Sequence, residues 1–198
     1  LEFRRVLFRS PDPLPSGLRN GDFAVSDPLD PAFAWQTAGP VTVADGEATL
    51  AAGSACFTDL SQPFLIPAGT RTLALTLVPW LQEPEAGALP EALEVALLPH
   101  AGSAPASLTT VGLAETDSLL NLQDDGTVWF ASGVGIVDAR PVVSGDRIPA
   151  RAPLRLVISI PESLVHAGAT LYVDLAANGN AASWTRVREV ALDTRDTV

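Results

Sequence analysis

The sequence contains no methionine, no lysine, only one cysteine and only two histidines among its 198 residues. A lone Cys56 excludes an internal disulfide and any zinc cage built from cysteine pairs. All twelve basic residues are therefore arginine, set against 23 acids for a net charge of −11. So acidic a chain lacks the basic face that nucleic acid or anionic lipid requires, and neither is expected as a partner. No apolar run reaches the length of a membrane span, so membrane insertion is not expected. What is present, 47% hydrophobic residues, is enough for one domain of this length to bury roughly 70% of its unfolded surface.

The first ten residues differ from the rest. LEFRRVLFRS carries three of the twelve arginines, and Leu7-Phe8-Arg9-Ser10 resembles a translated sequencing-adapter end. Residues 1–10 are expected to be a non-native leader, and residues 11–198 one domain that is a fragment of a longer chain. Without the leader, nine arginines face 22 acids, a net of −13. The arginine-only basic set, with abundant Ala, Gly and Pro, suggests a GC-rich bacterial genome.

Period-two alternation dominates. Leu73, Leu75 and Leu77 share one face; so do Leu93, Val95 and Leu97, with Glu94 opposite. Leu154, Leu156, Ile158 and Ile160 repeat the pattern, as do Leu171, Val173 and Leu175, with Tyr172 and Asp174 outward. Each run has strand length and one buried face. Shorter strands are expected at Val41–Ala44, Glu47–Leu50, Ser61–Ile66, Thr127–Ala131, Gly135–Asp138 and Ser183–Leu192. Asp45-Gly46 and Asp125-Gly126 suit the positive φ of tight hairpin turns. Residues 114–123 fit either a short helix or strand and loop. Residues 79–90, PWLQEPEAGALP, read as a long loop. Many short strands at this spacing, with little helix, predict an all-β antiparallel sandwich.

Reactive constellations are missing. There is no G-x-S-x-G elbow, and His100 and His166 both lie in turn contexts that suit solvated side chains. No H-E-x-x-H, cysteine-pair or EF-hand spacing occurs, and Asp124-Asp125-Gly126 reads as a hairpin. Glu83, Glu85, Glu91, Glu94, Asp117 and Asp174 could supply the carboxylate pair of a glycosidase. Among 23 acids, such neighbours arise by chance, and no catalytic residue is expected. Cys56, between Ala55 and Phe57, reads as a small buried hydrophobe.

Asn20-Gly21-Asp22-Phe23, then Trp35 and GPVTVADGEATL, resembles the opening of bacterial extracellular jelly-roll modules similar to carbohydrate-binding and galactose-binding-like domains. Matches continue in order through LSQPFLIPAG (60–69), EALEVALL (91–98), TDSLLNL (116–122), ATLYVDL (169–175) and the closing strand 187–192. The resemblance covers residues 18 to 192 and implies a jelly-roll sandwich, part of a large secreted or cell-surface protein. Such modules place an acid after the NGDF motif and another in the last strand, around a structural calcium. Here Ala24 and Arg188 stand at those positions, with Glu189 beside the latter, so the calcium site is expected to be lost and no cofactor is expected.

For a sugar binder, aromatic rings stack on apolar sugar faces while amides and carboxylates bind hydroxyls. Trp35 reads as core. Trp80, in the 79–90 loop, and Trp129, with Asn121, Gln123 and Asp124 near it in sequence, are the candidate carbohydrate-binding residues. Strand packing is the competing reading of Trp129, and packing over a sheet end that of Trp184. Tyr172 is read as resting on a sheet surface or on an adjoining module. The expectation is a non-catalytic module that binds a glycan and adjoins other domains of its parent protein. The alternative is a structural or adhesive spacer with no ligand of its own.

Overall fold

The structure, a computed structural model, describes residues 13–53, 57–82, 91–100, 109–110, 115–116, 118–137, 141–149, 152–177 and 182–193. The leader, Cys56, Glu83, Glu85 and Asp117 lie outside the described residues. In chain order the strands are β1 (Gln36–Ala38), β2 (Val41–Ala44), β3 (Glu47–Ala51), β4 (Phe57–Leu65), β5 (Thr72–Trp80), β6 (Ala92–Pro99) and β7 (Thr109–Thr110). They continue as β8 (Glu115–Thr116), β9 (Ser118–Gln123), β10 (Val128–Phe130), β11 (Val134–Val137), β12 (Leu154–Ser159), β13 (Gly168–Ala176) and β14 (Trp184–Asp193). Among the described residues the only helix is a 3₁₀ turn, Glu162–Leu164.

Two six-stranded antiparallel sheets form the body. The first runs β1-β4-β13-β6-β9-β10 and the second β11-β12-β5-β14-β3-β2; β7 and β8 pair separately. Eight of these strands, β3, β4, β5, β6, β9, β12, β13 and β14, carry the topology. Numbered one to eight in that order, they lie as second-seventh-fourth-fifth in one sheet and first-eighth-third-sixth in the other. Two interlocked Greek keys give this order, which is the jelly roll.

The alternating leucines explain why the sheets meet. Leu60, Leu93, Val95, Leu171, Val173 and Leu175 line the first sheet's inner face. Leu50, Leu73, Leu75, Leu77, Leu156 and Val187 line the second's, all fully buried. One core cluster joins them. Both Asp-Gly pairs turn hairpins: Asp45 and Gly46 have φ of 54° and 78°, and Gly126 has φ 83°.

Of the two readings left open for 114–123, the strand holds at Ser118–Gln123, which is β9. Two expectations are corrected. The strand expected at Ser61–Ile66 starts earlier, at Phe57. The loop expected over 79–90 does not hold Pro79 and Trp80, which end strand β5. β12 begins at Leu154 opposite Leu77, so Pro79 lies past the last β12 residue that pairs with β5. A proline there removes no ladder bond.

Candidate functional site

The NGDF segment turns out to be a structural knot. Asn20 has φ 50°. Its Nδ2 donates to the carbonyls of Val25 and Phe33 at 2.9 and 3.0 Å, and its Oδ1 accepts from the Val25 amide at 3.0 Å. Trp35 donates its indole N–H to the Asn20 carbonyl at 2.9 Å and stacks on Phe23 at 5.3 Å between centroids. Trp35 is buried, as expected of a core residue. Beside this knot β14 bulges after Arg188, and the Val190 amide donates to the Gly21 carbonyl.

The donors here do not fit calcium. Ala24 offers no side-chain oxygen, and Asp22 turns Oδ1 to the Ala24 amide at 3.3 Å. Glu189 is engaged by the Thr76 hydroxyl and by Arg155, at 2.9 and 3.2 Å. Arg188, at the position where the resemblance implies an acid, brings a cation instead of an anionic oxygen, with its Nε buried and unpartnered. Among the described residues no group of three or more His, Cys, Asp or Glu side chains is arranged to hold a metal.

The aromatic candidates separate onto opposite outer faces. Trp80 pairs with Trp184 across β5 and β14, on the outside of the second sheet. There the Arg186 guanidinium lies 4.8 Å from the Trp184 ring centroid and 3.2 Å from Glu47 Oε1. Trp129 stands on the outside of the first sheet. Trp80 and Trp129 therefore cannot stack one glycan between them, and stand as alternative platforms on opposite sheets.

On the first sheet the register assembles a row that crosses all six strands. Ala38 pairs with Asp59, Asp59 with Asp174, Asp174 with Glu94, Glu94 with Asn121, and Asn121 with Trp129. Residues paired across neighbouring strands share a face and lie roughly 5 Å apart. Their neighbours along each strand are the core leucines, so the row faces outward. Tyr172 follows in the next row, between Ser61 and Ala96, and Phe57 in the row on the other side, in line with Gln123.

Hydrogen bonding inside the row is one-sided. Asn121 donates Nδ2 to Glu94 Oε1 at 2.6 Å, and Ser61 donates its hydroxyl to Asp59 Oδ1 at 3.1 Å. Asn121 Oδ1 and Asp59 Oδ2 are then buried acceptors without a partner. Each such atom costs about 1–3 kcal/mol unless a water or ligand supplies a donor.

Trp129 is positioned from its flank. The turn at 143–146 runs beside β10: Gly145 N donates to Val128 O at 2.7 Å, and Phe130 N to Ser144 Oγ at 3.0 Å. Gly145, with φ 96°, lies against the indole; a β-carbon there would stand 3.4 Å from its ring. Asp124 is committed elsewhere, its Oδ2 accepting the Glu91 amide at 2.9 Å. Glu91 itself is buried and hydrogen-bonded to Ser183. His100 and His166 are both exposed.

Of the five candidates, the structure thus brings together Trp129, Asn121 and Gln123. It sends Asp124 to the end of the sandwich and Trp80 to the opposite face. Sequence reasoning missed Asp59, and also Phe57, which is 62% exposed on this face. Phe57 follows the stretch 54–56, where no strand was read, so its place in a sheet carried no local signal.

No family model matches the sequence, and no curated protein matches it. Solved structures similar to it in fold include carbohydrate-binding modules. TmCBM61, solved in complex with β-1,4-galactotriose, is 14% identical, with 90% of this chain and 97% of that one covered and a TM-score of 0.46. A carbohydrate-binding module of the β-sandwich superfamily is 10% identical, covering 90% and 63%, at 0.44. The CBM22-1 xylan-binding domain of Paenibacillus barcinonensis Xyn10C is 10% identical, covering 90% and 95%, at 0.40. At these identities the likeness is one of fold.

Proposed function

We propose that the protein is a non-catalytic module that binds a glycan on the outer face of its first sheet, as part of a larger secreted or surface protein of bacterial origin. The observation that carries this reading is the row Asp59–Asp174–Glu94–Asn121–Trp129, with Tyr172 beside it. It sets acceptors and an amide in a line for hydroxyl groups, with two rings next to them for apolar sugar faces. Six strands, spaced roughly 4.8 Å apart, give the line a length of several sugar units. Two of its acceptors are buried and await a donor.

The test is a glycan array followed by calorimetry on the best ligand. Tyr172→Ala and Trp129→Ala are expected to weaken binding about tenfold each, since a ring contact is worth on the order of 1 kcal/mol. Trp80→Ala, on the opposite face, is expected to leave it unchanged. Loss of binding in Trp80→Ala with full binding in the other two moves the site to the second sheet. Silence across the array favours the spacer.

A further inference from the structure

We propose that this face selects a cationic glycan, an unacylated amino-sugar polymer of the glucosamine type, over neutral chains and against uronic-acid chains. The proposal deepens the glycan-binding reading and rests on it. Its first ground is how charge divides between the sheets. The six strands of the first sheet contain no basic residue, and their three acids, Asp59, Glu94 and Asp174, all fall in the one outward row. The strands of the second sheet carry Arg155, Arg186 and Arg188. Three carboxylates on adjacent strands stand roughly 5 Å apart. Among the described residues neither Asp59 nor Glu94 meets a guanidinium; the three ion pairs are Arg147–Asp125, Arg155–Glu189 and Arg186–Glu47.

The second ground is independent of charge. Asn121 is only 9% exposed, and its Oδ1 has no donor. One N–H of its amide is given to Glu94, as the Ser61 hydroxyl is to Asp59. Asn121 Oδ1 and Asp59 Oδ2 stay open, so the group that completes them must bring N–H or O–H. An ammonium brings three donors and a positive charge. A hydroxyl brings one donor and no charge, and a uronate brings further acceptors and a like charge. Tyr172 and Trp129 add ring faces, which also attract cations.

The experiment is calorimetry on the whole chain at about pH 5.5, where unperturbed Asp and Glu are ionised. The probes are glucosamine hexamer, N-acetylglucosamine hexamer, cellohexaose and oligogalacturonate. Glucosamine hexamer is expected to bind about tenfold tighter than the two neutral chains, with the gap closing in high salt, and oligogalacturonate not to bind. The double variant Asp59→Asn with Glu94→Gln keeps the shape of the row and is expected to bring glucosamine hexamer down to the neutral level. Equal binding of amino and neutral sugars, or a preference for the uronate, overturns the charge selection and leaves glycan binding standing. A preference that survives in the double variant overturns it as well, because overall surface charge would then account for it. Failure of every probe and of the array overturns the glycan reading and this inference together.

Discussion

Gly21 meets the Val190 carbonyl so closely that a β-carbon would stand 1.9 Å from the oxygen. The Val190 amide donates to the Gly21 carbonyl at 2.9 Å, locking the N-terminal knot to the bulge of the last strand. Any side chain at 21 must push two backbone segments apart, a change costing about 3 kcal/mol. Gly21→Ala is therefore expected to lower the melting temperature by roughly 6–12 °C. Gly69 supplies the comparison, with φ 75° and nothing within 4 Å of a built β-carbon. Gly69→Ala meets backbone strain alone, about 1 kcal/mol, and calorimetric melting of the two variants should separate them.

Asn20 holds the same knot from inside. Its three side-chain hydrogen bonds serve the backbone of Val25 and Phe33. Asn20→Ala removes all three, at about 1 kcal/mol each, and puts alanine at a positive φ that asparagine tolerates better. The expected loss is about 2–4 kcal/mol in urea unfolding. Trp35 should report it directly, since its indole donates to the Asn20 carbonyl. Its emission is expected to shift to the red before the main transition; a variant with unchanged midpoint and emission would contradict the assignment.

The fold was legible because inward leucines at period two need only local sequence to announce a strand. Asn121 and Trp129 could be placed together for the same reason: the Asp125-Gly126 turn joins their strands and sets the register. Asp59, Glu94 and Asp174 could not be. Their meeting depends on β13 running between β4 and β6, and no spacing in the chain encodes that order. Trp80 was misplaced because Pro79 reads as a strand breaker. Pro63 shows the same device in β4, where β1 pairs no further than Ser61. Both prolines sit where a neighbouring strand has already ended, a condition visible only in the assembled sheet.

Gln62 is fully buried on the inner face of β4, among leucines. Its amide pays for that position in hydrogen bonds: Oε1 accepts from the Arg19 amide at 2.7 Å and Nε2 donates to the Arg19 carbonyl at 2.9 Å. Gln62→Leu keeps the volume and leaves both Arg19 groups without their partner, at about 1–3 kcal/mol for each that stays buried. The stretch 13–25 is expected to loosen ahead of the sandwich. Hydrogen exchange should show faster exchange at Arg19 and Gly21 while Leu75 and Val173 stay protected. Uniform acceleration across all four would mean that Gln62 supports the whole core.

Asp125 carries the clearest pH signature among the described residues. The Thr127 hydroxyl and then the Thr127 amide, at 2.8 Å, hold its carboxyl below the usual carboxylate range. Arg147, at 2.7 Å, lowers it further, and slight burial works against them. An unfolded aspartate titrates near 3.9. Because the folded value is the lower one, the turn's contribution is complete above that pH and fades as pH falls through the folded value. The Asp125 carboxyl carbon, followed by NMR, is expected to titrate below 3.8. Thr127→Val and Arg147→Ala should each raise the midpoint, since the hydroxyl and the guanidinium both lower it. A wild-type midpoint at the ordinary carboxylate value, or no rise in either variant, would show that the Thr127 and Arg147 side chains do not hold the Asp125 carboxylate.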